Sequence, residues 1–498
     1  MVTRSSPTCW RNFRTSYFFA LSVNTVHNID NVYNSSKMKH LKTYLLGKTR
    51  TSLLLLLALI YTSAASAQQE ILDDYVKEAL ANNLVLQQRN ISLDQSLLAL
   101  KEARGLYLPT TWLEGQYTIA RGGRDINIPI GDLLNPVYST LNQLTNSEKF
   151  PQVENVSEQL LPNNFYDVRI KTTMPIYNPE LKYNKTVKEK QVALQQNEVD
   201  IYKRELVRDI KQSYYAILMA EKAIRIYQST LALVNENLRL NQSLLANGKG
   251  LPAYVSRAET EVQQVETQLS NAKNEKQKAI AWFNALLNKD INESVMIADL
   301  KLADAGNTSM FDQADNISAR EELKQMNIMK DIQYNSLKLN KAYHTPRVGA
   351  FLDLAAQDFN WNFQQKSLFY LGGVNVNVPI FAGNRNIYKI QRSELDLKST
   401  DQATRDLKRK LEVSAFNSRN NARNNYNNYL LSIKQEESTT KYFKLIDRGY
   451  KEGINSFIEL LDARNQLTQS QLQKELNYYR LLSALADYER QTSSFNIN

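Results

Sequence analysis

Two carboxylates, Glu459 and Asp462, stand about one helical turn apart in the stretch EGINSFIELLDARNQL, residues 452–467. No basic residue lies three or four positions from either of them, so neither has a partner for a helical ion pair. Paired carboxylates can act as an acid/base couple, bind a metal ion, cap a helix or have no role at all. The surrounding sequence has to decide among these roles.

Composition removes most of the catalytic alternatives. The 498-residue chain has a single cysteine, Cys9, and only one of its three histidines, His344, lies beyond residue 67. Thiolate zinc sites, histidine clusters and Cys/His catalysis are therefore excluded from the rest of the chain. A hydrolase that uses Glu459 and Asp462 is one hypothesis, but no α/β pocket pattern, nucleotide loop or metal cluster accompanies the pair. We therefore predict no enzymatic activity, no cofactor and no bound metal.

The positive charge lies mainly at the N-terminus. Of the formal +10, residues 1–67 carry +7, from eight Lys/Arg and one acidic residue. The rest of the chain holds the other 53 of 61 basic residues and 50 of 51 acidic residues, or +3. A basic surface for nucleic acid is therefore not predicted for the mature chain.

Residues 38–67 have the three parts of a secretory signal peptide: a basic start, the apolar stretch Leu53–Tyr61 and an A-x-A cleavage site that ends at Ala67. We predict an exported mature chain that begins at Gln68, and we interpret residues 1–37 as an extension from a start codon assigned too far upstream. No cysteine follows the signal, so no lipid anchor is predicted. No later apolar stretch is long enough for a membrane-spanning helix.

The chain contains two copies of one pattern. Residues 173–194 parallel residues 377–397, and residues 246–269 parallel residues 450–472. Such self-similarity indicates a repeated structural unit. The predicted organisation is repeat 1 at 68–288, a connector at 289–317, repeat 2 at 318–490 and a tail at 491–498.

Each repeat is predicted to contain a first helix, two strands around a loop, a very long helix, a glycine turn and a last helix. The predicted elements are first helices at about 70–105 and 318–343, strands at about 110–121, 165–174, 347–358 and 367–378, long helices at 180–247 and 384–448, and last helices at 253–287 and 456–490. A helix of about 60 residues is about 90 Å long. It is stable only if it packs along its length on neighbours, as in antiparallel coiled coils.

The predicted strands alternate apolar and polar residues. In one of them, Tyr166, Val168 and Ile170 face one way, whereas Asp167 and Arg169 face the other. A half-buried soluble sheet is one interpretation. Four such strands, a signal peptide and no spanning helix favour transmembrane β-strands. Four strands cannot close a barrel, so we expect the chain to oligomerise, and three copies would supply twelve strands.

The duplicated plan resembles the TolC family of outer-membrane efflux proteins over roughly residues 70–490. The resemblance rests on the duplication, on the segments PIYNPELKYNK and PIFAGNRNIYK after the strand pairs, and on the glycine turn followed by SFIELLDARNQL. It implies a mixed α/β membrane protein with an internal duplication. Long antiparallel coiled-coil helices would form a periplasmic α-barrel, and four transmembrane β-strands per chain would complete a 12-stranded β-barrel in a trimer.

The resemblance also implies a function and partners. A homotrimer in outer-membrane lipid would conduct substrates passively to the exterior, as part of a tripartite efflux or type I secretion system. A periplasmic membrane-fusion adaptor and an inner-membrane transporter would be its partners, and nucleic acid would not. The long loop 122–164 of repeat 1 is expected outside the cell. The alternative hypothesis is a periplasm-spanning coiled-coil structural protein without a pore.

Aligned on Gly453, Glu459 and Asp462 fall where the family places two carboxylates that face the pore axis. The resemblance thus implies six carboxylates near the axis of a trimer, where they narrow the pore and attract cations. Crowding is expected to raise the pKa of some of them. Ser456 offers Glu459 a different role, because Ser-Phe-Ile-Glu also fits a helix-capping box.

Other tip residues follow from the same resemblance. Tyr450 matches a family tyrosine in the network that holds the periplasmic tip shut. Where that network has an arginine, this sequence has Asn455, and Arg448 is the candidate substitute. Ser256 and Glu259 are the counterparts of Glu459 and Asp462 in repeat 1. The adaptor contacts are predicted at the two tip turns, which include Gly248, Gly250, Leu251, Gly453, Ile454 and Ser456.

Overall fold

A computed structural model describes residues 71–298, Phe311 and residues 316–495. The predicted extension 1–37 and signal peptide 38–67 lie outside the described residues. The connector 289–317 and the tail 491–498 lie partly outside them. Within the described ranges, no helix is both long enough and apolar enough to cross a membrane.

The two repeats have the same order of main elements. Repeat 1 contains α1 (71–82), α2 (Leu84–Gly105), β1 (Thr110–Thr118), β2 (Asp125–Ile128), α3 (Ile130–Thr145), β3 (Val156–Gln159), β4 (Phe165–Tyr177), α4 (Pro179–Ala246) and α5 (Pro252–Leu287). Repeat 2 contains α6 (Glu321–Lys341), β5 (Arg347–Phe359), β6 (Leu368–Asn377), α7 (Arg385–Lys451) and α8 (Phe457–Thr492). The predicted fold class, with long helices, a four-stranded sheet and a duplication, is confirmed.

The predicted single helix at about 70–105 is wrong, because the helix breaks at Asn83. The buried Asn83 side chain accepts a hydrogen bond from the N–H of Leu86 at 3.0 Å and so caps α2. Its amide nitrogen donates to the carbonyl of Leu286 at 2.9 Å, and its oxygen accepts from the Tyr202 hydroxyl at 3.0 Å. Asn83 therefore joins the start of α2 to α4 and α5, and the break has a structural cause.

The predicted loop 122–164 has secondary structure of its own. Strands β2 and β3 form a hairpin, and the helix α3 lies between them. The Asn135 side chain exchanges hydrogen bonds with the backbone of Val153 at 2.9 and 2.8 Å, which ties α3 to the segment that follows it. The segment is thus a small folded unit inserted between β1 and β4.

The main sheet is antiparallel with the order β1-β4-β5-β6, so the two repeats join at the β4–β5 pair. Its register aligns the predicted faces across all four strands. Leu113, Ile170, Leu354 and Tyr370 form one cross-strand row, and all four are exposed. The other face carries ion pairs, with Arg169 Nη1 3.7 Å from Asp353 Oδ2 and Lys171 Nζ 3.9 Å from Glu114 Oε1. One face of the sheet is therefore apolar and the other is charged.

The long helices pack in pairs. Helix α4 packs antiparallel on α5, and α7 packs on α8, so each pair forms a helical hairpin. Helix α4 also packs on α8, which joins the two helical hairpins. The largest core cluster lies where α1, α4, α5 and α8 meet, around buried Ile210, Tyr214, Ile217 and Phe283. Both hairpins run from this core to a tip, where α4 turns into α5 and α7 turns into α8. The predicted functional residues lie at these tips.

Candidate functional site: the two hairpin tips

The tip of the first hairpin depends on two glycines for different reasons. Gly248 has φ +69°, a conformation that residues with a Cβ adopt only at a cost. A Cβ at Gly250 would lie 2.7 Å from the backbone nitrogen of Leu245, so the chain closes too tightly for a side chain. Pro252 then begins α5, where its missing N–H is not needed. The sequence GKGLP therefore determines a tight, fixed turn.

The tip of the second hairpin uses the same solution with different residues. Gly453 has φ +76°. The N–H groups of Ile454 and Asn455 donate to the carbonyl of Gly449 at 2.7 and 3.2 Å, which satisfies the end of α7. The Asn455 side chain lies against the bare backbone of Gly449. Ser456 then caps the start of α8.

Replacing Gly449 by alanine should destabilise this tip. A Cβ there would lie 1.8 Å from Asn455 Oδ1, so the Asn455 side chain has to move. Such overpacking costs about 1–3 kcal/mol, which exceeds the ~0.5–1 kcal/mol that alanine gains over glycine in a helix. We expect a lower melting temperature in detergent for Gly449→Ala. The matched control is Gly105→Ala, where nothing lies within 4 Å, and equal melting temperatures of the two variants would contradict the role of the contact.

An apolar cluster holds the two tips together. Phe457, at the start of α8, is 1% exposed and packs with Leu460 and Leu461 of the same helix and with Ala258 of α5. The ring of Tyr254, also from α5, lies 5.4 Å from the Phe457 ring. We call this set, with its partly buried neighbours, the tip cluster. It joins the first hairpin to the second within one chain.

Tyr450 belongs to this contact. Its hydroxyl donates to Oδ1 of the buried Asn241 of α4 at 3.1 Å, and its ring lies 5.9 Å from the Phe457 ring. Burial raises the pKa of Tyr450, so the hydroxyl remains a donor at neutral pH. The residue therefore links α7 to α4. Arg448, the candidate substitute for the missing arginine, is exposed on α7 instead.

Glu459 is engaged by its own turn. Its carboxylate accepts from the N–H of Ser456 at 2.7 Å, while its own N–H donates to the Ser456 hydroxyl at 3.3 Å. These bonds form the capping box that the sequence offered as an alternative. Hydrogen bonds from Ser456, and then from the Asn455 amide, lower the pKa of Glu459. Within one chain the effect is thus opposite to the rise expected from crowding in a trimer.

Asp462 is free of such a role. It is exposed on α8, about 60° around the helix from Glu459, and accepts one hydrogen bond from Gln466 at 2.7 Å. In repeat 1, Ser256 and Glu259 are likewise exposed on α5. Each tip therefore presents a polar helix face to its surroundings. The second tip carries a carboxylate, Asp462, with no part in a cap.

Sequence reasoning missed Arg464, the largest fully buried side chain of the described residues. Its Nη2 lies 2.5 Å from Oε2 of Glu261, which is also buried, on α5. The two residues are 203 apart, the same spacing as the turn glycines Gly250 and Gly453. When the sequences of the two repeats are aligned on these glycines, Glu261 stands opposite Arg464. This pairing of opposite charges was the sequence signal that could have indicated the contact.

The two repeats thus supply two helical hairpins with glycine-closed tips and share one sheet with an apolar face. The chain belongs to the outer membrane efflux protein family, which matches residues 75–289 and 317–489. The resemblance to TolC-family channels is confirmed. The family is one of channels and not a class of enzymes.

Solved structures share the fold. The outer-membrane channel CmeC of Campylobacter jejuni has a TM-score of 0.67 at 13% identity, covering 85% of this chain and 85% of that chain. The outer membrane protein VceC of Vibrio cholerae has a TM-score of 0.68 at 12% identity, covering 86% and 98%. A membrane protein of Pseudomonas aeruginosa has a TM-score of 0.68 at 16% identity, covering 84% and 93%. No curated protein matches this chain.

Proposed function

We propose that three copies of this chain form a passive duct in the outer membrane, which receives substrates from a periplasmic adaptor and an inner-membrane pump and releases them outside. The observation that carries the proposal is that helix α2 of repeat 1 has one long-helix neighbour fewer than helix α6 of repeat 2. Helix α6, the first helix of repeat 2, packs extensively on both long helices, α4 and α7. Its counterpart α2 packs extensively on α4 alone among the described elements.

The duplication identifies the missing neighbour of α2. If each repeat packs on the preceding one, α2 should pack on α7 of a second copy, as α6 packs on α4. Both helices have exposed apolar residues for such a contact. On α2 these are Leu84, Val85, Ile91, Leu97 and Leu98, and on α7 they include Leu395, Val413, Phe416, Leu431 and Leu445. Exposed apolar surface on a helix that lacks a neighbour is typical of an interface.

The sheet supports the same assembly. Strands β1 and β6 are its two edges, and β4 pairs with β5 across the repeat boundary. By the same rule, β6 of one copy should pair with β1 of the next. Such a contact joins different surfaces of the two copies, and it closes into a ring if the rotation per copy allows. A ring of three would join twelve strands and bury every strand edge.

The faces of the sheet then have distinct roles. The row of Leu113, Ile170, Leu354 and Tyr370 would face lipid, and the ion-paired face with Arg169 would face the lumen. The tips would lie at the periplasmic end, where Asp462 would face the axis and the two turns would meet the adaptor. Export of the chain by the predicted signal peptide, without a lipid anchor, would bring it to this location.

The full mature chain in detergent should have the mass of a trimer in native mass spectrometry. Reconstituted in planar bilayers, it should give ohmic current steps without nucleotide or any partner, because the duct itself performs no chemical step. A stable trimer that passes no current would favour the periplasm-spanning structural protein. A monomeric chain would contradict the packing argument from α2 and α7.

A further inference from the structure

A buried ion pair, Arg464 with Glu261, joins the two helical hairpins. Arg464 is 1% exposed, and the side chain of its partner Glu261 is 3% exposed. Arg257, on the same helix as Glu261, lies 2.7 Å from the other carboxylate oxygen but is half-exposed. The charges of Arg464 and Glu261 are thus removed from water and face each other across the contact between α8 and α5.

The environment of the pair makes this contact specific but not strongly stabilising. Two donors of Arg464, Nε and Nη1, have no hydrogen-bond partner among the described residues. The attraction within such a pair offsets the loss of hydration only when the remaining donors are satisfied. Separation of the hairpins would let water reach these donors, which lowers the cost of opening. Partial separation would leave both charges buried and unpaired, which is unfavourable. The contact therefore favours two states, paired or fully separated.

Arg464 and Asp462 lie close together on α8. Arg464 follows Asp462 by two residues on α8, about 200° around the helix, so one side chain faces α5 while the other faces away. The tip cluster around Phe457 lies nearer the turn and also joins α8 to α5, while the bond between Tyr450 and Asn241 joins α7 to α4. Both residues therefore move with the same segment of α8.

We propose that Arg464 and Glu261 are positioning residues that hold α8, and with it Asp462, in the narrow state of the tip, and that the tip widens when they separate. This inference rests on the proposed duct.

Charge reversal tests the pair in the reconstituted full-length trimer. Arg464→Glu places two carboxylates together in a buried site, and we expect roughly tenfold higher mean current at fixed voltage. The swap, Arg464→Glu with Glu261→Arg, restores the opposite charges and should return the current to within about twofold of wild type. Arg257→Gln is the matched control on the exposed side of Glu261, and it should leave the current unchanged.

The isosteric variant Glu261→Gln keeps the test valid if Arg464→Glu fails to assemble. It keeps the size of the side chain and removes its charge, and we expect a several-fold rise in current with the trimer mass retained. A lower melting temperature with wild-type current would show a purely structural pair and overturn the positioning role. So would a swap that conducts like Arg464→Glu alone. Wild-type trimers that pass no current would instead contradict the duct itself.

Discussion

Replacing Asp462 by alanine is expected to raise the single-channel conductance of the trimer roughly twofold and to reduce its preference for cations over anions. In the proposed assembly the change removes three carboxylates near the axis at the narrow end. Asp462 accepts a single hydrogen bond, from Gln466, and stands outside the cap of α8, so the fold does not depend on it. The measurement is conductance and reversal potential in planar bilayers under a salt gradient.

Glu459→Ala should behave differently, although the residue lies one turn away. Its carboxylate is held by Ser456 and Asn455, so its loss removes the capping box of α8. We expect a lower melting temperature and a smaller change in conductance than for Asp462→Ala. Asp447→Ala is the control, because this partly buried carboxylate of α7 is paired with Lys451 at 2.7 Å and lies off α8. Equal effects of Asp462→Ala and Asp447→Ala on conductance would contradict a gate at Asp462.

The difference between the two carboxylates was only partly visible in the sequence. The spacing of Ser456 and Glu459 fits a capping box, and the structure contains that box. Cap motifs are local, so three residues of sequence are enough to predict them. Whether a carboxylate faces an axis depends instead on the neighbouring copies, and the sequence gives no distance to them. The role of Asp462 in the gate therefore stays a prediction.

The duplication explains why so much of the fold could be predicted. Alternating strands and long helices occur twice, so each repeat supports the assignment made in the other. The register then aligned the predicted faces, as in the row of Leu113, Ile170, Leu354 and Tyr370. Repeat 1 alone carries the inserted hairpin with α3, and no second copy was available to indicate its elements. It was therefore predicted as a loop.

Contacts between distant residues account for the two clearest failures. Asn83 reads as an ordinary residue in a continuous helical pattern, but two of its partners lie 203 and 119 residues away. Arginine is rarely buried without a partner, so the local sequence predicts that Arg464 is exposed to solvent. Its partner, Glu261, is 203 residues away and is not visible in the local pattern. Local patterns predict elements well, whereas a buried polar residue depends on what the fold brings to it.

Replacing Glu322 by glutamine is expected to lower the stability of the trimer at pH 7 by roughly 2 kcal/mol, after allowance for solvent screening. Glu322 lies in the first turn of α6, and its Oε1 is 2.7 Å from Arg320 Nη2 and 2.6 Å from Arg490 Nη2 of α8. Burial alone would raise the pKa of Glu322, but the hydrogen bonds and charges of the two arginines outweigh it and lower the pKa to about 2. The variant leaves two largely buried cations without their shared carboxylate.

The sign of this pKa shift predicts how the effect depends on pH. A carboxylate whose pKa falls on folding, here from 4.5 to about 2, stabilises the folded state fully above pH 4.5. This stabilisation declines as the pH falls towards 2, where wild-type Glu322 also becomes protonated. The gap in melting temperature between wild type and Glu322→Gln should therefore be largest at neutral pH and should close between pH 4.5 and about 2.

Asp74→Asn is the matched control, because Asp74 forms an exposed pair with Lys77, and this variant should change the melting temperature little at any pH. A gap that stays constant across this range would show that the loss comes from packing and not from the charge of Glu322.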